Sequence, residues 1–276
     1  MGVMIEGIGF VTRLSSRLDG AAFSRASGAI RDGVISPDAF PGRWNPRRAI
    51  PSGIEPLASA VALAIEDAGW WAPGSGRATP GALVVGVDAG SRGPAIRFAR
   101  EIQARPNPGP ADFLFSLPSS AAAVLGILFG LTDYQATVVG ESKAGIQGLR
   151  HALDLLLLWR QERVVLAVLS VSEEELIQEF HGLNGSSASS ERMAVAWCLT
   201  ARGGNARYPM EVDCAVEAPP LWVDSPMAAA PFLEAARWLL SHSTLIREEG
   251  RLDFETSCGA IQLQWKGNPG CPKART

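Results

Sequence analysis

The chain has 276 residues, 47% of them hydrophobic and 19% charged, with 25 lysines and arginines against 28 acidic residues for a formal charge of −3. That is enough apolar material for a substantial core and too little charge for a disordered chain. The near-neutral balance excludes the clustered basic excess of a nucleic-acid-binding surface.

In chain order, the opening MGVMIEGIGF lacks a basic segment followed by a signal-length apolar run, so reduced thiols and a cytoplasmic location are expected. Val3 to Val11 reads as a strand with Gly7 and Gly9 set into it. The polar region to about Ser52, with its DAFPGRWNPRRAIPSG stretch, reads as loops and short helices. From Glu55, apolar residues at Leu57, Val61, Ala64, Ile65 and Ala68 recur every three or four positions and stop at Gly69, which predicts an amphipathic helix. Ala82 to Val87 is a strand covered on both faces. Ile96 to Ile102 is a short helix and Ser119 to Phe129 a buried one. The most apolar runs, 121–131 and 153–159, fall short of the roughly 20 residues that span a bilayer.

Next come a strand at Gln135 to Val139, the turn GESKAG, a helix at Ile146 to Trp159 and a buried strand at Arg163 to Val171. This is a βαβ unit, expected to be parallel. Met193 to Leu199 is a further strand. Beyond Thr200 the pattern loosens until a helix at Ala228 to Leu240 and a strand at Ala260 to Trp265.

One turn carries chemistry. A hydroxyl between a buried strand and the first turn of a helix sits where backbone N–H groups and the helix dipole stabilise negative charge. Ser142 in GESKAG is therefore a candidate nucleophile; it is equally read as the helix N-cap, with Gly140 and Gly145 present for packing. Cys198, Cys214, Cys258 and Cys271 contain no CxxC pair, and only His151, His181 and His242 accompany them, so neither a metal site nor a cofactor is expected.

Several segments taken together resemble the β-ketoacyl synthase family of the thiolase-like superfamily, in the family's order. IEGIGFVT is similar to its opening strand and LASAVALAIEDAGW to its first long helix. PGALVVGVDAG matches the next strand and its Gly-rich exit, and FLFSLPSSAAAVLGILFGL the phenylalanine and proline segment. TVVGESKAGIQGLRHALDLL stands at the nucleophile turn, and RVVLAVLSVSEEE and SSERMAVAWCLTAR follow. The resemblance implies an α/β protein with the thiolase-like layered α-β-α fold. Residues 1–202 would form the N-terminal half, and an abbreviated C-terminal half, 203–276, would pack on it as one structural unit.

Two departures shape the functional expectation. Ser142 takes the place of the family's acyl-accepting cysteine, and a hydroxyl, unlike a thiolate, needs a base to take its proton. Asp224, Ser225 and Pro226 stand where the family carries a catalytic histidine. The resemblance therefore implies a non-catalytic, chain-length-factor-like subunit, as in aryl polyene type II polyketide systems. Its partner would be a catalytic ketosynthase, with an acyl carrier protein as a further one. Phe113, Phe115 and Phe129 would line an acyl tunnel beside Ser142. Arg43, Arg47 and Arg48 either face the acidic carrier or lie on a solvated loop. The alternative is a serine-dependent acyltransferase or hydrolase in which Ser142 is served by His181 or His242.

Overall fold

In a computed structural model of the protein, the residues described are 2–12, 54–71, 81–88, 92–104, 110–140, 143–171, 192–201, 208–216, 229, 232, 235–236, 250–256 and 259–265. The chain starts with strand β1 (Val3–Thr12) and helix α1 (Glu55–Asp67). Strand β2 (Ala82–Val87) is followed by three helices, α2 (Arg92–Ala104), α3 (Pro110–Ser116) and α4 (Ser120–Phe129). Strand β3 (Tyr134–Val139), helix α5 (Ala144–Leu157) and strand β4 (Arg163–Val171) come next. Strands β5 (Arg192–Thr200), β6 (Tyr208–Val216), β7 (Gly250–Thr256) and β8 (Gly259–Trp265) complete the order.

The strands make one sheet in the order β3-β2-β4-β5-β1-β6-β8-β7. Strands β3, β2 and β4 run parallel, whereas every pairing from β4 to β7 is antiparallel. The expected βαβ unit is parallel, but β2 lies between its two strands.

Alternation along the strands divides the core in two. On one face Leu57, Val61 and Ile65 of α1 and Leu125 and Phe129 of α4 pack against Leu83, Val85, Val165 and Ala196. On the other, Leu149, Leu153 and Leu156 of α5, with Phe232 and Ala235, pack against Val84, Leu166, Val168 and Trp197. The result is the layered α-β-α arrangement expected from the sequence.

Close approach of α1 to β1 explains a glycine in the first strand. A Cβ on Gly9 would lie 2.0 Å from the carbonyl oxygen of Ala60, so the helix backbone rests on the strand. Next to it, the β1–β5 register shifts between Ile5 and Gly7, leaving Glu6 as an extra residue. The Glu6 carboxylate accepts a hydrogen bond from the Trp70 indole N–H at 2.6 Å, and Asp67 accepts one from the Ile8 N–H at 3.0 Å. Buried Cys198 lies near this acidic pair. Burial pushes its thiol pKa well up, and the charges of Asp67 and Glu6 add to the shift.

Helix α5 packs against β2, β3 and β4, and also against β6 and β8. Helix α5 thus serves strands on both sides of β1 in the sheet order.

Strands β1, β2, β3, β4, β5 and β8 and helices α1, α4 and α5 match the sequence expectation to within two residues at each end. Helix α3 and strands β6 and β7 were not expected. The expected loops of 13–52 lie outside the described residues, as does most of the expected helix at 228–240. Within it Phe232, Ala235 and Ala236 are helical and buried. Among the described residues no helix is long and apolar enough to cross a membrane.

Candidate functional site

In sheets with parallel strands, ligands bind beyond the carboxyl ends of those strands. Here the ends of β2, β3 and β4 reach one level, because Val87 lies beside both Val139 and Leu169. Gly86 brings the first turn of α5 to this level. A Cβ there would lie 2.8 Å from the Ala144 carbonyl oxygen and 3.5 Å from Gly145 Cα. The amino end of α5 is thus pressed onto β2, with its unpaired N–H groups and dipole at the carboxyl edge of the parallel strands.

The connection from β3 to α5 is tight. The Lys143 N–H donates to the Gly140 carbonyl at 2.9 Å, closing the chain over two intervening residues. Lys143 occupies the N-cap position without a side-chain cap. Ser142 itself lies outside the described residues, as do His181 and His242, the two candidate bases of the alternative chemistry.

Among the described residues the sole histidine is His151. It lies two turns along α5, roughly 10 Å from the helix start, where Nε2 is 3.0 Å from the Tyr134 hydroxyl. Its ring also packs at 5.6 Å from that of Tyr134.

The three phenylalanines have different surroundings. Phe129 is fully buried, 6.0 Å from the ring of Trp71. Phe113 is 53% exposed and pairs with Phe98 of α2 at 5.5 Å. Phe115, on α3, is half-buried.

The sequence reading missed Asp88, which is 8% exposed just beyond β2. Its carboxylate accepts the Val171 N–H at 3.2 Å, fastening the end of β2 to the end of β4. Beside it, the Ser170 hydroxyl is fully buried and accepts the Ala229 N–H at 2.8 Å. The Asp that opens DAG directly after an apolar run, and the Ser at the end of LAVLS, were the available signals.

The two edges of the sheet differ. On β7, Arg251 and Asp253 pair at 2.8 Å; these charges guard that edge against further strands. Strand β3, YQATVV, carries neither charge nor proline. Around it stand exposed apolar side chains: Val139 at 54%, Ile127 of α4 at 60%, and Leu158 and Trp159 after α5 at 70% and 62%. The ring of Trp159 meets that of Tyr134 at 6.1 Å.

No protein-family model and no curated protein matches the chain. Solved structures do. The ketosynthase ApeO in complex with its chain length factor ApeC, from Xenorhabdus doucetiae, matches with TM-score 0.61 and 15% identity, covering 96% of this chain and 99% of that one. The ishigamide ketosynthase/chain length factor matches with TM-score 0.60 and 12% identity over 97% and 100%. The type II polyketide synthase complex of AntDE with the acyl-carrier protein AntF matches with TM-score 0.57 and 11% identity over 97% and 99%. At these identities the likeness is one of fold: the chain folds as an α/β protein in the way these ketosynthase and chain-length-factor structures do.

Proposed function

We propose that the chain is the non-catalytic, chain-length-factor-like partner of a catalytic ketosynthase in acyl chain elongation of the fatty acid or polyketide type. The observation that carries this reading is the uncharged β3 edge with its rim of exposed Val139, Ile127, Leu158 and Trp159. Apolar area of this kind, beside the outward-facing backbone groups of β3, suits strand addition by a second chain. The solved neighbours that are ketosynthases paired with chain length factors support a ketosynthase as that chain. An acyl carrier protein is a further, transient partner.

In this reading Ser142 marks the place of the family nucleophile without performing its chemistry. The amino end of α5 stabilises an anion, but a serine also needs a base, and His151 is held by Tyr134 two turns away. Phe129, Phe115 and Phe113 contribute to the wall of an acyl tunnel.

Co-expression with a catalytic ketosynthase should give a heterodimer on size-exclusion chromatography. Val139→Lys and Ile127→Asp, both at exposed positions, should weaken it at least tenfold while leaving the fold intact. Intact mass after incubation with an acyl carrier thioester should show no acyl adduct. A stable adduct abolished by Ser142→Ala would establish the serine enzyme instead.

A further inference from the structure

Five buried polar or charged residues are found among the described residues: Ser59, Asp88, Ser120, Ser170 and Thr200. Ser59 bonds within its own helix, to the Glu55 carbonyl, and Ser120 bonds to the Leu114 carbonyl, six residues away. Thr200 bonds to the Glu162 carbonyl, at the end of the sheet remote from the candidate site. Asp88 and Ser170 differ in both respects. They stand side by side at the carboxyl ends of β2 and β4, and they reach residues 83 and 59 positions away.

Their bonds form a chain: Asp88 holds the backbone of Val171, and the adjoining Ser170 holds the backbone of Ala229. Beyond Ala229, Phe232 stacks edge-on against Trp197 of β5 at 5.0 Å, and Ala235 and Ala236 are fully buried. Among the described residues the Trp197 indole N–H has no partner. The aromatic contact therefore adds apolar area but carries the cost of a stranded donor. The polar grip of the parallel strands on this segment falls to Ser170.

We propose that Asp88 and Ser170 are positioning residues that register the segment around Ala229 against the candidate site, and so help set the acyl length the complex accepts. The length-setting part rests on the chain-length-factor reading above; the registration does not. The same chain of bonds makes Ser170 act through the backbone of residue 229 and gives it no direct role in chemistry.

Hydrogen exchange on the isolated full chain tests the registration. Ser170→Ala should speed exchange across 229–236 by about tenfold, the equivalent of one buried hydrogen bond. Ser59→Ala, which removes a buried hydroxyl of purely local use, should leave that segment unchanged. Asp88→Asn keeps an acceptor for the Val171 N–H and should behave as wild type, whereas Asp88→Ala should behave as Ser170→Ala. Unchanged exchange at 229–236 in Ser170→Ala, or equal acceleration in Ser59→Ala, overturns the proposal.

In the complex with its ketosynthase, Ser170→Ala should leave association intact and broaden the product lengths, with Ser59→Ala as the unaltered control. An unchanged product profile from an intact complex refutes the length-setting role. A wild-type chain that binds no ketosynthase refutes the functional reading itself, and the exchange result still decides the brace.

Discussion

Cys198 shows how far a side chain can be from the role its type suggests. It is fully buried on β5, and its thiol pKa is pushed up first by that burial and then by Asp67 and Glu6. It is a packed group with no access to reagents. Native-state alkylation followed by peptide mapping should leave Cys198 unmodified at pH 8 and label it after unfolding. Because the folded pKa lies above the unfolded one, the contribution to stability is whole below about pH 8.5 and declines as pH rises beyond it. Urea midpoints between pH 7 and 10 should fall for wild type, and less steeply for Cys198→Ala. Residue by residue, the candidate site was partly legible: Gly140 and Gly145, read from their spacing, lie at the tight turn into α5, while Ser142 lies outside the described residues. Asp88 did not stand out, because its use depends on a strand 83 residues further along the chain.

Elements with strong periodicity or unbroken apolar runs were legible because burial on one or both faces leaves its mark on sequence. Strands β2 and β4 were read to the residue. Strand β7 was missed since only Leu252 and Phe254 alternate with its charges, and β6 since Pro209 interrupts it near its start. Helix α3 spans seven residues, too few for a period to show. Packing between elements makes a sharper demand at Gly9. Its missing side chain admits the backbone of α1 rather than a movable side chain, and overpacking of that kind costs on the order of 3 kcal/mol. Gly9→Ala should lower the denaturation midpoint accordingly, measured by circular dichroism, with Gly69→Ala strained by its φ of 65° but meeting no neighbour.

At the scale of the molecule, the division of the sequence near residue 202 does not coincide with a break in the sheet. Strand β1 pairs with β5 on one side and β6 on the other, and α5 touches strands from both parts. A sheet shared in this way should unfold in one step. Variants retaining only Trp197 or only Trp265 as fluorophore should give coincident urea transitions; a separate early transition at Trp265 would show the C-terminal strands to be an independent unit. The reach of α5 to strands on both sides of β1 was not readable from sequence, because it joins elements far apart along the chain. The open β3 edge was not readable either, since a strand at an edge and one inside a sheet can share the same apolar pattern.

The central place of β1 also bears on how the protein is made. Both neighbours of this first strand are encoded far downstream, so it leaves the ribosome with no strand to pair with. At about 5–20 residues per second, β5 emerges on the order of ten to forty seconds later, and β6 after that. For most of that interval β1 is an apolar strand without its partners, and β4, once made, has one side uncovered only for the last few seconds before β5 follows.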